Sequence, residues 1–216
     1  VVARRLCRLY REVGPDVLCL QEVQDEETYH TAAHLLGMAG AYCAGQRQPQ
    51  YGGAVYWRRG RLLADALEAG AAPVRVWQKV ALPVRDKRLV VCNLHLASAK
   101  QLGENAAACS RSADLAEMLD HSPAPDIIAG DFNEGPDGSS TPFLMQHGYA
   151  DTALLTKSRI RSTGDKKPRS DQIWVSDALR ETVVGFAAID WDDLRTAIPG
   201  KTYLSDHLPL RLALET

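Results

Sequence analysis

The feature that most constrains this chain is a series of short apolar runs, each flanked by an acid, an amide or an imidazole. Val17-Leu18-Cys19-Leu20 leads into Gln21 and Glu22. Leu89-Val90-Val91-Cys92 leads into Asn93 and His95, and Ile127-Ile128-Ala129-Gly130 into Asp131 and Asn133. Asp171 stands just before Ile173-Trp174-Val175, and Asp206-His207 just before Leu208-Pro209-Leu210. Short apolar runs of this kind predict strands buried on both faces. Strand ends are rigid, so side chains placed there converge on one cleft with little loss of geometry.

The remaining pattern sets the fold class. Val2, Leu6, Leu9 and Val13 recur at helical spacing, and Gly14-Pro15-Asp16 stops that helix. Residues 26–36 predict a second helix, residues 104–119 an Ala-rich one, and residues 140–147 a short one with Pro142 in its first turn. Residues 54–57, 62–68, 74–82 and 88–94 read as strands joined by Gly, Pro or charged turns, which favours antiparallel hairpins. Further strands are expected at 173–175, 183–189 and 208–214. Strands outnumber helices, and the helices come at intervals. The expectation is an α/β fold: a two-layer β-sandwich of mostly antiparallel sheets with helices on both outer faces, four layers in all. No linker interrupts the 216 residues, so residues 1–216 are expected to form a single domain around one core.

Composition narrows the function classes. A net charge of -2 supplies no general attraction to nucleic acid, so a polyanionic substrate must meet a local basic patch. The five cysteines (Cys7, Cys19, Cys43, Cys92 and Cys109) form no CxxC pair, which argues against structural zinc. Their odd number and lack of a framework point to a reducing, intracellular compartment. No apolar run approaches the ~20 residues that cross a bilayer, so no membrane association is expected. The chain opens in VVARRLCRLY, inside a helical pattern rather than a signal peptide.

Several carboxylates, one or two imidazoles and an amide, with no activated Ser or Cys among them, suit a hard cation such as Mg²⁺ or Mn²⁺. One carboxylate can hold the metal and another can activate water. Asn can hold a phosphoryl oxygen, and an Asp-oriented His can donate to a crowded phosphorus. Each residue alone has a plainer reading. Glu22 can be a solvated strand end, Asp131 a turn residue, His95 a core histidine and Ser205-Asp206-His207 a cap. Their joint occurrence at strand ends favours the chemical reading.

Five segments together carry a resemblance. Leu20-Gln21-Glu22-Val23, Asn93-Leu94-His95-Leu96, Gly130-Asp131-Phe132-Asn133, Ser170 to Ser176 and Ser205 to Leu210 resemble, in that order, the signatures of the endonuclease/exonuclease/phosphatase superfamily. The similarity runs from about Pro15 to Leu214. His95 and the stretch from Gly52 to Leu62 are most similar to its deadenylase-like branch, the CCR4, nocturnin and Angel group. The resemblance implies a Mg²⁺-dependent phosphodiesterase working by in-line water attack, with a 3′–5′ exoribonuclease as the first expectation. It implies that Glu22 binds the metal with Asp206 beside it or at a second metal position. Asp131 would orient or deprotonate the water, and Asn133 would hold a phosphoryl oxygen. His207, its tautomer fixed by Asp171, would stabilise the pentacovalent phosphorus, and His95 would contact the phosphate.

Three departures from the family pattern stand out. The family opens with a strand carrying an Asn at the metal site, and this chain begins after it, so the first strand is expected to be lacking. The helix after His95 lacks the branch's Glu-x-x-Arg-x-x-Gln pattern, although Arg111 is positioned to substitute. Gln172 replaces a usual Tyr or His, on the opposite side of the strand from Asp171. A basic stretch (Lys157, Arg159, Arg161, Lys166, Lys167, Arg169) precedes Asp171, and Lys166, Lys167 and Arg169 are the expected substrate contacts, for RNA or another phosphodiester. Few aromatics accompany it, which disfavours a long stacking platform. The alternatives are a phosphatase or phosphodiesterase acting on a small or lipid phosphate ester, and a non-catalytic scaffold retained inside a larger assembly. The intact polar set in this one chain argues against the scaffold, since unpaired buried carboxylates cost stability.

Overall fold

The computed structural model describes residues 1–45, 48–58, 65–70, 75–85, 87–164 and 168–215. Three groups of strands carry the fold. β1 (Val17–Val23), β2 (Met38–Cys43) and β3 (Gly52–Arg58) form an antiparallel sheet in the order β1-β3-β2. β4 (Asp65–Gly70), β5 (Val76–Val84), β6 (Lys87–His95), β7 (Ile127–Asp131), β8 (Tyr149–Asp151) and β9 (Asp171–Ser176) form a six-stranded sheet in the order β4-β5-β6-β7-β9-β8. β10 (Val183–Ala188) pairs with β11 (Leu210–Leu214). Among the described residues, only β6 and β7 are parallel, and parallel neighbours need a long crossover. α3 (Ala99–Leu102) and α4 (Glu104–Asp120) supply it.

Alternation along the strands sorts residues into layers. Val55, Trp57, Val80, Leu82, Val91, Ile127, Ile173 and Val175 meet between the sheets, with Val17, Phe186, Leu210 and Leu212 against them. The opposite face of the large sheet packs Trp77, Cys92, Leu94, Ile128 and Trp174 on Leu115 and Met118 of α4 and Leu144 of α5 (Ser140–Gln146). The opposite face of the small sheet packs Ala54 and Tyr56 on α1 (Val2–Val13) and α2 (Glu26–Leu36). The result is the four-layer α/β sandwich expected from the pattern. Burial explains the raised thiol pKa values of Cys19 and Cys92, both pushed up to about 12. Among the described residues, no helix is long and apolar enough to cross a membrane.

Two strands depart from expectation. β2 lies in Met-Ala-Gly-Ala-Tyr-Cys, which has no alternation to read, and it forms because β3 offers it a full edge. β8 is only Tyr149–Asp151, held by β9. Residues 62–64 of one expected strand, and Val74 at the start of another, lie outside the described residues.

Register places the site. His95 on β6 lies opposite Asp131 on β7, and Asp131 lies opposite Asp171 on β9. Three titratable residues therefore stand abreast on adjacent strands. The approach is possible because position 130 is Gly, with φ 150°. A Cβ there would drive into the Leu94 carbonyl oxygen of β6.

Candidate active site

The row His95–Asp131–Asp171 forms the floor, and a turn brings His207 onto it. Ser205 Oγ accepts from the His207 N–H at 3.0 Å. Thr163 holds the turn from the other side: its carbonyl accepts from the Leu208 N–H, and its Oγ1 accepts from the Asp171 N–H at 3.1 Å. His207 Nδ1 then meets Asp171 Oδ2 at 2.8 Å. That hydrogen bond, with the neighbouring carboxylates behind it, raises the His207 imidazole to about 9 against the opposing cost of burial.

His95 has the opposite environment. It is 1% exposed, and burial, Arg75 and His207 depress its pKa well below the ordinary value. The ring is therefore neutral, and both of its nitrogens are engaged. Nε2 lies 3.4 Å from Asp131 Oδ2, and Nδ1 lies 3.1 Å from the Arg75 guanidinium, which also touches Nε2. The same Arg75 nitrogen, an obligate donor, thus meets both ring nitrogens, Nε2 more closely than Nδ1.

Asp131 is pushed up to about 6, first by burial and then by Asp171, against the downward pull of His207, the Asn133 N–H and Arg75. Its Oδ1 accepts the Asn133 N–H at 2.8 Å. Asn133 adopts φ 52°, and its side-chain amide donates to the Leu96 carbonyl at 3.0 Å. Glu22 also has a positive φ, 57°, at an irregularity that ends the regular pairing of β1 with β3. A left-handed backbone at two non-glycine residues in one cleft is strain of the kind that clusters at functional sites. It turns Glu22 out of the sheet to within 3.8 Å of Arg75, with its side chain 59% exposed.

The sequence matches the Endonuclease/Exonuclease/phosphatase family over residues 2–207. The chain belongs to that family. No curated protein is matched by the sequence. Among solved structures, a humanised TDP2 of D. rerio is 20% identical with a TM-score of 0.76, covering 100% of this chain and 91% of that one. The human nocturnin catalytic domain is 19% identical with a TM-score of 0.62, covering 98% and 87%. A mannosyl-6-phosphatase of Bacteroides thetaiotaomicron is 17% identical with a TM-score of 0.70, covering 99% and 90%. At these identities the likeness is one of fold. Members of the family are hydrolases of phosphate esters.

His95, Asp131, Asn133, Asp171 and His207 lie together at the strand ends, and Glu22 stands 3.8 Å from Arg75 beside them. Asp206 is exposed beside His207 and adds to the field that keeps that imidazole charged. Arg169 has a different setting from the one expected. It is buried, and both terminal nitrogens of its guanidinium meet Asp151, one of them at 3.2 Å. Lys166 and Lys167 lie outside the described residues. Arg111 is also interior. It donates to the Ala97 carbonyl at 3.1 Å and pairs with Glu134 at 2.9 Å, while Glu134 accepts from the Ser139 and Ser140 N–H groups. Arg111 thus braces the loop after Asn133. Gln172 faces away from Asp171, bridging the Glu134 carbonyl and the Trp174 indole.

The donor set fits a hard divalent cation. Asp131, Asp171 and His207 form a cluster with one potential ligand atom each within 4.8 Å of one another. A His207 protonated up to about 9 and bonded to Asp171 is a poor ligand, which leaves the carboxylate oxygens. Asp131 and Asp171 present carboxylate oxygens of the kind that Mg²⁺ or Mn²⁺ prefers.

Sequence reasoning missed Arg75. The guanidinium is 5% exposed and lies against His95, Glu22, Gln101 and the Tyr51 ring. Its one sequence signal is a charge placed immediately before the apolar strand β5.

Proposed function

We propose that this chain is a Mg²⁺- or Mn²⁺-dependent phosphodiesterase that cleaves its ester by in-line attack of water, with RNA degraded from its 3′ end as the first substrate expectation. The observation that carries the reading is the juxtaposition of a charged, Asp-bound imidazole with a carboxylate raised to about 6. Those two groups are the acid and base that hydrolysis needs near neutral pH.

Asp131 orients a water molecule and accepts one of its protons as the oxygen bonds to phosphorus. The bond to the leaving oxygen breaks on the opposite side, and that oxygen takes its proton from solvent. His207, held by Asp171, donates through Nε2 to a non-bridging oxygen as negative charge builds there. Asn133 has a second amide hydrogen for another non-bridging oxygen, since only one is committed to Leu96. Glu22, with Asp206 nearby, would hold the metal, which supplies charge neutralisation and a more acidic water. The exonuclease preference rests on the similarity of Asn93-Leu94-His95-Leu96 to the deadenylase-like branch.

The test is hydrolysis of labelled oligo(A) RNA with Mg²⁺, beside a small aryl phosphodiester and a sugar monophosphate. Cleavage of the RNA from its 3′ end that requires the metal and disappears in Asp131→Ala is the expected result. Release of phosphate from the sugar ester alone moves the reading to a phosphatase. No turnover of any of the three leaves the non-catalytic scaffold.

A further inference from the structure

We infer that Arg75, rather than His95, is the side chain that grips the phosphoryl group on this wall of the cleft. The inference rests on the phosphate-ester reading above and adds a residue that none of the five motifs contains. His95 is 1% exposed, its Nε2 is taken up by Arg75 and Asp131, and its Nδ1 lies 3.1 Å from the same Arg75 nitrogen, so it offers little to a substrate. It acts as a positioning residue that touches both the guanidinium and the Asp131 carboxylate.

Arg75 itself is under-paired for a buried cation. The Glu22 carboxylate is 3.8 Å away and the Gln101 amide oxygen 3.5 Å away, both long for a charged hydrogen bond. Its Nε is buried with no partner among the described residues. Burying a guanidinium without a full set of acceptors is costly, and burial does depress its pKa against the upward pull of Asp131 and Glu22. Tyr51, with its ring centre 4.4 Å from Cζ, fixes the guanidinium plane from one face. What this fork lacks is a pair of anionic oxygens at fixed spacing, and a phosphoryl group presents them.

Two measurements decide the matter, with inorganic phosphate as the probe and the metal chelated. The first uses the unaltered protein: the Arg75 Nε–H signal in a ¹⁵N spectrum is expected to shift as phosphate is added. The second is calorimetry on Arg75→Gln and Arg75→Lys. Loss of charge-assisted bonds predicts phosphate binding weaker by on the order of tenfold to a hundredfold in the Gln variant. The Lys variant, which keeps the charge and loses the fork, is expected to lie between. An unmoved Nε–H signal overturns the proposal even where a variant fails to fold, and so does unchanged phosphate affinity in a folded Gln variant. Phosphate binding that needs Arg75 in a protein that hydrolyses no ester supports the inference while removing the reaction. Hydrolysis with Arg75-independent phosphate binding removes the inference alone.

Discussion

Two histidines share one cleft and have been driven in opposite directions. His207 sits on a turn with its side chain 27% exposed, and Asp171 raises it to about 9. His95 sits at a strand end, wholly buried beside a guanidinium, and is held neutral. The residue type is the same and the neighbours decide the charge. One imidazole becomes a proton donor for developing negative charge. The other becomes a neutral spacer between a cation and a carboxylate. A site with two imidazolium ions here would repel Arg75, and one with two neutral rings would lack its electrostatic donor.

The largest expected effect breaks the two apart in activity. His207→Ala is expected to lower kcat/KM by roughly 10²–10³, the usual cost of losing a donor to a developing oxyanion. His95→Gln, which keeps an acceptor and a donor at similar reach, is expected to cost roughly tenfold. Steady-state kinetics on the small phosphodiester measures both, and equal losses would erase the distinction.

Stability against pH comes next in size. The folded-state pKa of His207 is raised above its unfolded value near 6.5, so the stabilisation it confers is fully present below 6.5. It is lost as pH rises through about 9. Denaturant unfolding should therefore show a decline of about 1–2 kcal/mol across that window, and His207→Gln should flatten it. Asp131 contributes with the same sign at lower pH. Its folded pKa of about 6 lies above the unfolded value, so ionisation destabilises the fold between about 4 and 6. Asp131→Asn is expected to remove that decline and abolish hydrolysis, an exchange of function for stability.

A smaller effect sharpens the contrast directly. Side-chain NMR of the metal-free protein should show the His207 ring titrating near 9 and the His95 ring still neutral at pH 6.5. Asp206→Asn should lower the His207 midpoint by a few tenths of a unit, because Asp206 is exposed and the weakest of the groups that raise it. A large drop would mean that Asp206, not Asp171, holds the proton.

Much of this site was legible in the sequence, for a physical reason. Buried strands are short and apolar, so an acid or imidazole at their ends is conspicuous, and Glu22, His95, Asp131, Asp171 and His207 announce themselves. The register that sets His95, Asp131 and Asp171 abreast is long-range, and no local pattern contains it. Arg75 was hidden because an arginine before a strand ordinarily reads as a solvated end. Arg169 misled in the other direction. A basic stretch reads as surface, whereas its partner Asp151 is 18 positions away and draws it into the interior. Arg111 misled similarly through Glu134. β2 and β8 lacked the alternation or the length that a strand reading needs.

The most direct test of the account is the pH dependence of kcat/KM for Mg²⁺-supported phosphodiester hydrolysis, in the unaltered protein and in Asp171→Asn. The account predicts a bell with limbs near 6 and near 9, from Asp131 and His207. Removing the Asp171 charge should draw the upper limb down towards the ordinary histidine range while the lower limb persists. An upper limb that stays in place in Asp171→Asn, or a rate without either limb, would contradict the assignment of His207 as the charged donor.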